Sequence, residues 1–154
     1  MSFNPGNSEL PLDGKGLRVG IVAASYNLAR VNDLIRLVAA ELERLGVEDE
    51  AIRLVRVPGS MEVPYACARL AKGQNYHALI GLGVVIAGDT NHHDVIGYTT
   101  ASSLQQISID SGIPVVNGIL VVETEEQATD RLGGKVDRGA EFARAAVALA
   151  NLKF

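Results

Sequence analysis

The sequence predicts one α/β domain, a doubly wound three-layer α/β/α sandwich around a four-stranded parallel sheet. Strand-like runs of apolar and β-branched residues alternate with helix-like segments along the chain. The connections between them are short, and such alternation favours parallel strands joined by right-handed helical crossovers. The run from 77 to 86 is almost wholly apolar, as a strand covered by helices on both faces has to be.

The bulk composition is that of a globular protein. The 154 residues suffice for one domain that buries roughly two-thirds of its unfolded surface. Hydrophobic residues make up 47% of the chain and charged residues 21%, the opposite of the balance in disordered chains. The net charge of -4 and the mixing of both signs leave no sustained basic surface for phosphate backbones. We therefore expect no nucleic-acid partner.

The chain also carries no sign of export or membrane insertion. Its start lacks a charged flank followed by an apolar run, and no segment approaches the roughly 18 apolar residues that span a bilayer. The single cysteine, Cys67, lies on the apolar face of a predicted helix, so we expect a small core residue and no disulfide framework. These features predict a cytoplasmic protein with no membrane partner.

Glycine and proline residues set the predicted limits of the N-terminal arm, the first strand and the first helix. Residues 1 to 16 contain Pro and Gly with little apolar content, which predicts an extended arm, with a plain tail as the alternative. Residues 17 to 154 are predicted to form the domain. Its first strand is predicted over 17 to 24, and Asn27 is predicted to cap a helix whose apolar spacing continues until Gly46.

Two further strand and helix pairs come next. Residues 51 to 57 predict a strand, and residues 60 to 72 predict the helix that follows it. The apolar strand over 77 to 86 is then followed by a polar turn at 87 to 91. A long helix is predicted after this turn and ends near Gly112.

The last strand and helices complete the alternation. The fourth strand is predicted over 113 to 122, and Glu125 and Glu126 begin a helix whose dipole suits acidic residues in its first turn. An alanine-rich helix is predicted from about 138 to 152. Ligands of such sheets bind beyond the carboxyl ends of the strands, which here are followed by residues 25 to 27, 58 to 62, 87 to 93 and 117 to 123.

The turn after the third strand has the features of an anion site. Gly88, Asp89 and Thr90 lie in it, and the N-terminus of the next helix presents free N–H groups. No Gly-Lys-Ser/Thr follows, so a small phosphorylated metabolite is favoured over a nucleoside triphosphate. His92 and His93 stand beside the turn, where an imidazole could transfer protons. Helix capping by Asp89 or Thr90, with two exposed histidines, is an equally weighted alternative.

A metal site is less favoured at this turn. Adjacent histidines on a helix cannot both face one ion, and no cysteine or acidic ligand set accompanies His92 and His93 in the sequence. We therefore expect no metal.

Five motifs keep a fixed order and spacing along the chain. They are Gly20-Ile21-Val22 with Ser25-Tyr26-Asn27, Val57-Pro58-Gly59-Ser60-Met61-Glu62-Val63-Pro64, Gly88-Asp89-Thr90-Asn91-His92, Asn117-Gly118-Ile119-Leu120 with Glu126-Gln127-Ala128, and Arg138-Gly139-Ala140-Glu141. Any one of them would be weak evidence, but together they are specific. They resemble the lumazine synthase family over about residues 17 to 152.

The resemblance implies a flavodoxin-like fold and a transferase of riboflavin biosynthesis. Members of the family condense 5-amino-6-ribitylaminouracil with 3,4-dihydroxy-2-butanone 4-phosphate to 6,7-dimethyl-8-ribityllumazine, with loss of phosphate and water. This is the penultimate step towards riboflavin. Amine addition, phosphate elimination and ring closure mainly need positioning and proton transfer, so the resemblance implies no cofactor.

The resemblance also assigns roles to individual residues. His92 would be the catalytic proton-transfer group. The pyrimidine and ribityl group would be bound by Tyr26, Ser60, Met61, Glu62, Val84, Val85, Asn117 and Arg138, and the phosphate by Gly88, Asp89, Thr90 and Arg131. Asn117, Arg131 and Arg138 would be supplied by a neighbouring subunit. By residue type alone, Tyr26 is equally well explained as a core aromatic and Glu62 as a helix-start carboxylate.

The partners implied by the resemblance are two small-molecule substrates and further copies of the chain. The copies would form a pentamer with active sites at subunit interfaces, and the arm over 1 to 16 would join a neighbour's sheet. The short connection over 132 to 137 permits an icosahedral shell of 60 subunits. Riboflavin synthase is a candidate protein partner.

Three positions depart from the common pattern of the family. Asn117 stands where many members have an aromatic residue, Arg138 where many have lysine, and Ala87 where a basic residue is common. Asn117 and Ala87 make a non-catalytic homologue that binds a flavin or lumazine, or forms a shell, the alternative. A flavodoxin-like electron carrier is disfavoured because it needs a first loop rich in serine and threonine to hold a flavin, and residues 24 to 27 contain only one serine and no threonine.

Overall fold

Four parallel strands form one sheet in the order β2-β1-β3-β4. The computed structural model describes residues 10–154, and the strands in it are β1 (Val19–Ala24), β2 (Ile52–Val57), β3 (Ala78–Ile86) and β4 (Val115–Val122). This order places β1 and β3 at the centre of the sheet. β1 pairs with β2 on one side and with β3 on the other. The four-stranded parallel sheet is therefore confirmed.

Five helices cover the two faces of this sheet. They are α1 (Leu28–Arg44), α2 (Val63–Lys72), α3 (His92–Ser111), α4 (Glu125–Arg131) and α5 (Arg138–Asn151). Buried apolar side chains of α1, α4 and α5 contribute to one core cluster, and those of α2 and α3 contribute to a second. The molecule is therefore a three-layer α/β/α sandwich of the flavodoxin-like class, as predicted.

The central strand β1 shows how the sequence produces two cores. All six of its residues are buried. Ile21 and Ala23 pack into the first core, whereas Val22 and Ala24 pack into the second. Successive side chains of a strand point to opposite faces, so a continuous apolar run is what a strand between two helical layers requires.

The element bounds agree with the sequence prediction to within a few residues, and two local details differ. Residues 60–62 form a 3₁₀ turn, and α2 begins only at Val63, with Pro64 in its first turn. Asn27 is the residue before α1, but within residues 10–154 its side chain makes no capping hydrogen bond. The predicted side-chain cap is wrong, because the Asn27 backbone is left-handed instead of extended, as a capping residue usually is, and the side chain turns to donate to Val84.

The first residues of the described chain are attached to the helical layer of α1 and α5. The backbone N–H of Gly14 donates to the carbonyl of Leu45 at 2.8 Å, and that of Asp13 donates to Oδ1 of Asn151 at 2.8 Å. Residues 1 to 9 of the predicted arm lie outside the described residues. The contact of the arm with a neighbouring sheet stays a prediction.

Cys67 lies in the second core, as predicted. It is fully buried on α2, and burial raises the pKa of its thiol to about 12. A thiol that stays protonated is a poor nucleophile, so Cys67 is a core residue. Among the helices of residues 10–154, none is long and apolar enough to cross a membrane.

Candidate active site

A cleft of about 430 Å³ lies at the carboxyl ends of the central strands. The loops after β1, β2 and β3 form its wall, as expected for a doubly wound sheet. The predicted site residues on this wall are Tyr26, Ser60, Met61, Glu62, Val84, Val85, Gly88, Thr90 and His92. Three segments that are distant in sequence therefore meet at one cavity.

Tyr26 lies at the rim of the cleft. Its backbone N–H donates to the carbonyl of Pro58 at 3.0 Å, and the N–H of Ser25 donates to Val57 at 2.8 Å. These bonds attach the loop after β1 to the end of β2, while 74% of Tyr26 remains exposed. The alternative that Tyr26 is a core aromatic is wrong for this chain, and its ring is available for stacking.

The turn over 60–62 forms a second part of the wall. Ser60 is buried, and a methyl group at Gly83 of β3 would overlap its hydroxyl group. The glycine therefore makes room for the turn to approach the sheet. Glu62 precedes α2, but among the described residues its side chain makes no capping bond, which leaves an exposed carboxylate beside the cleft.

The floor of the cleft is the end of β3. The side chains of Val84 and Val85 are buried, so their backbone is what they can offer to a ligand. The carbonyl of Val84 already accepts a hydrogen bond of 2.7 Å from Nδ2 of Asn27. A carbonyl oxygen has two acceptor sites, so one remains for a ligand.

The polar turn connects β3 to the N-terminus of α3. The N–H of Ala87 donates to Val122 at 2.9 Å, which attaches the start of the turn to the end of β4. A methyl group at Gly88 would meet no atom of residues 10–154 within 4 Å, so the backbone there is accessible. Oγ1 of Thr90 accepts from the N–H of His92 at 3.3 Å. Asp89 is exposed and, within residues 10–154, lies off the cleft wall.

The two histidines of α3 have opposite environments. His92 is exposed and lines the cleft, whereas His93 is buried with a relative exposure of 9%. The alternative with two exposed histidines is therefore wrong for His93. The expectation that no acidic ligand set lies nearby is also wrong, because ligand atoms of His93, Asp94 and Glu123 lie within 4.8 Å of one another.

Asn117 does not line the cleft. It lies on β4, in a separate depression formed with Asp94, Gly97, Tyr98, Ile119 and Val121. Its Oδ1 accepts from the N–H of Ile119 at 3.1 Å, which leaves the side-chain amide group free to donate.

Arg131 and Arg138 lie in a third depression, at the junction of α4 and α5. It is formed with Asp130, Lys135, Val136 and Glu141. Arg131 donates to the carbonyl of Gln127 at 3.2 Å, and Nε of Arg138 lies 2.8 Å from Oε2 of Glu141. The guanidinium of Arg138 also lies over the ring of Phe142, at 5.1 Å. The fold of one chain thus separates these arginines from the cleft.

The cleft wall includes residues that sequence reasoning did not assign to the site. They are Asn27, Gly59, Ile86, His93 and Ile96. Asn27 and Gly59 lie in the loops after β1 and β2, so their positions were a usable signal. Ile96 lies four residues after His92 on α3, where helical spacing places both on one face.

The chain is similar to known proteins over nearly all of its length. A family model described as 6,7-dimethyl-8-ribityllumazine synthase matches residues 16–153. A protein of that name from Cupriavidus pinatubonensis is 42% identical over 150 residues, which cover 97% of this chain and 86% of the relative. One from Paraburkholderia phymatum is 44% identical over 141 residues, covering 92% and 80%.

A third relative extends the agreement to another genus. The protein of the same name from an Azoarcus species is 40% identical over 144 residues, which cover 94% of this chain and 90% of the relative. The match spans all four strands and five helices, and it includes every loop of the cleft. The chain therefore belongs to the 6,7-dimethyl-8-ribityllumazine synthase family.

Proposed function

We propose that this chain condenses 5-amino-6-ribitylaminouracil with 3,4-dihydroxy-2-butanone 4-phosphate to 6,7-dimethyl-8-ribityllumazine, the penultimate step of riboflavin biosynthesis. Phosphate and water are released. The observation that carries the proposal is the cleft, where an exposed aromatic ring, a carboxylate and an imidazole surround an accessible glycine turn. Family membership supports the same reaction.

The pyrimidine substrate occupies the part of the cleft between Tyr26 and Glu62. Its ring stacks on Tyr26, which is exposed at the rim. The hydroxyl groups of the ribityl chain donate to the Glu62 carboxylate, and charge-assisted bonds of this kind are stronger than neutral ones. Ser60 and Met61 contribute backbone groups beside it, and the backbone of Val84 and Val85 contacts the ring.

The phosphorylated substrate occupies the turn at Gly88, Asp89 and Thr90. The N-terminus of α3, a helix of 20 residues, directs the positive end of its dipole towards this turn. Asp89 can contribute only its backbone, because its carboxylate would repel an anion. His92 begins the helix on the cleft wall, from which it transfers protons during amine addition and phosphate elimination.

The complete site requires a second copy of the chain. Asn117, Arg131 and Arg138 lie in depressions outside the cleft. A neighbouring subunit supplies them, with Arg131 bound to the phosphate. Apolar side chains on α3 that are more than half exposed, at Val95, Tyr98 and Ile109, provide surface for such an assembly.

The assembly is a cyclic pentamer, and sixty subunits can form an icosahedral shell. When each subunit contacts the next through two different surfaces, the subunits form a closed ring if the rotation from one subunit to the next is a whole fraction of a full turn. The arm over 1 to 16 adds to a neighbour's sheet. Within the described residues β2 pairs with β1 alone, so its other edge is open to such a strand. Sedimentation distinguishes a pentamer from a shell of twelve times that mass.

The reaction uses no metal or other cofactor, and the lone buried cysteine suits a cytoplasmic location. Riboflavin synthase is proposed as the protein that takes up the product. Co-sedimentation of the two purified proteins tests the contact with riboflavin synthase. Removal of metals by chelation tests the absence of a metal, and we expect turnover to stay unchanged.

Direct assay of the purified protein tests the proposed function. With both substrates present, we expect lumazine fluorescence to rise together with inorganic phosphate, and neither to rise when one substrate is omitted. If the protein binds the pyrimidine substrate and releases no phosphate, the non-catalytic homologue that binds a lumazine is the correct description.

A further inference from the structure

We propose that His93 is a positioning residue that holds the phosphate-binding turn and sets the affinity for the phosphorylated substrate. The inference rests on the proposed function and deepens it, because it gives a role to a buried histidine that the reaction itself does not use. His93 is the second residue of α3, next to the exposed His92.

The imidazole of His93 joins three parts of the site. Its Nδ1 lies 3.2 Å from the carbonyl oxygen of Thr90, in the turn. Its Nε2 lies 3.3 Å from Oε1 of Glu123, just after β4, and 3.4 Å from Oδ1 of Asp94, on α3. The ring therefore stands between the turn and two carboxylates.

Both ring nitrogens face oxygen atoms that accept hydrogen bonds. A neutral imidazole has one N–H, so it can donate on one side only, whereas an imidazolium donates on both. A hydrogen-bonding group that loses its partner no longer favours the conformation in which the bond was made. With a hydrogen on Nδ1 the ring donates to the carbonyl of Thr90, and this bond also holds the backbone that leads to Thr90 Oγ1 and His92.

Substitutions separate the two contacts of the ring. His93→Phe keeps an aromatic ring and removes both nitrogens. His93→Asn places an amide donor near the position of Nδ1, whereas His93→Gln reaches towards the position of Nε2. We expect Phe to raise the KM of the phosphorylated substrate by about tenfold, the effect of one lost hydrogen bond.

The pattern of kinetic constants distinguishes positioning from general damage. We expect kcat and the KM of the pyrimidine substrate to change less than about threefold in His93→Phe. Asn should restore most of the lost affinity, and Gln should not. An unchanged KM in His93→Phe, a parallel loss for both substrates, or an Asn variant no better than Phe would overturn the inference.

A bound cation is the other way to satisfy Nε2 and the two carboxylates, and the same variants test it. We expect EDTA and added Zn²⁺ to leave the wild-type KM unchanged. A Zn²⁺-dependent KM in the wild type that is absent in His93→Phe would overturn the proposal in favour of a metal.

Failure of the proposed function would be recognised separately. If the wild-type protein forms no lumazine, titration with inorganic phosphate followed by ³¹P NMR still compares the variants. Phosphate binding about tenfold weaker in His93→Phe supports the role of His93 without any reaction. Equal binding in both proteins would overturn it.

Discussion

The side-chain amide of Asn27 donates a hydrogen bond of 2.7 Å to the backbone carbonyl of Val84. This bond joins the loop after β1 to the end of β3, at the floor of the cleft. Asn27 also has a φ of 58°, a left-handed conformation that asparagine tolerates better than most residues. The position therefore requires both a side-chain donor and tolerance of positive φ.

Two substitutions at Asn27 separate these requirements. Asn27→Ala loses the bond and retains the strained backbone, so we expect the free energy of unfolding to fall by about 2 kcal/mol. Asn27→Gly loses only the hydrogen bond, so we expect the free energy of unfolding to fall by about 1 kcal/mol. Urea unfolding at one fixed protomer concentration measures both, since assembly makes stability depend on concentration. Equal losses would mean that the backbone conformation carries no cost.

The role of His92 is tested by His92→Ala. Its imidazole is exposed on the cleft wall, so its removal should leave the fold intact. We expect lumazine formation to slow by ~10²-fold or more, as is usual when a general acid or base is lost. Stopped-flow detection of the product measures this effect, and circular dichroism checks the fold. Unchanged turnover would remove His92 from the mechanism.

Mixed assemblies test whether neighbouring subunits share each site. Arg131→Ala and His92→Ala should each be nearly inactive as a homogeneous protein. After joint refolding in equal amounts, about one site in four combines an intact cleft with an intact Arg131, so roughly a quarter of wild-type activity should return. If the mixture stays as inactive as its components, both residues serve the same subunit's site.

The burial of Cys67 leads us to expect that the stability of the fold depends on pH in the alkaline range. Burial raises the pKa of its thiol to about 12, from an ordinary value of 9.0. Between these values the unfolded chain ionises and the folded one does not, so stability is fully present below pH 9 and falls as the pH rises towards 12. Cys67→Ala lacks this group and serves as the reference.

The measurement for Cys67 is the difference in unfolding free energy between wild type and Cys67→Ala at several alkaline pH values. We expect wild type to lose stability faster than the variant above pH 9. In the native state the thiol should also resist a disulfide reagent, and it should react at once in urea. Parallel pH curves for the two proteins would contradict a buried, protonated thiol.

Much of the fold could be predicted because it depends on local patterns. The apolar run of β3, the helical spacing of α1 and the glycine at position 112 lie within short windows of sequence. Thr124 precedes α4, and its side chain accepts from the N–H of Gln127, so this helix begins with an ordinary N-cap that involves only nearby residues. The loops that form the cleft were predictable for the same reason.

Other properties could not be predicted, because they depend on what approaches from elsewhere in the chain. His92 and His93 are identical in type and adjacent, yet the end of β4 brings Glu123 to one of them only. Asn27 is of a residue type that often caps helices, but its side-chain amide donates to the carbonyl of Val84 at the end of β3. Arg131 carries no local sign that it lies outside the cleft.

By itself, the amino-acid sequence determined the order of strands and helices, the two-sided burial of the sheet and the polar turn at Gly88, since each follows from periodicity and residue type over a few turns of chain. Only the tertiary structure decided which histidine is buried, what Asn27 binds and which predicted site residues share a cavity. The physical reason is that burial and hydrogen bonding are set by partners distant in sequence, and folding selects those partners for the chain as a whole.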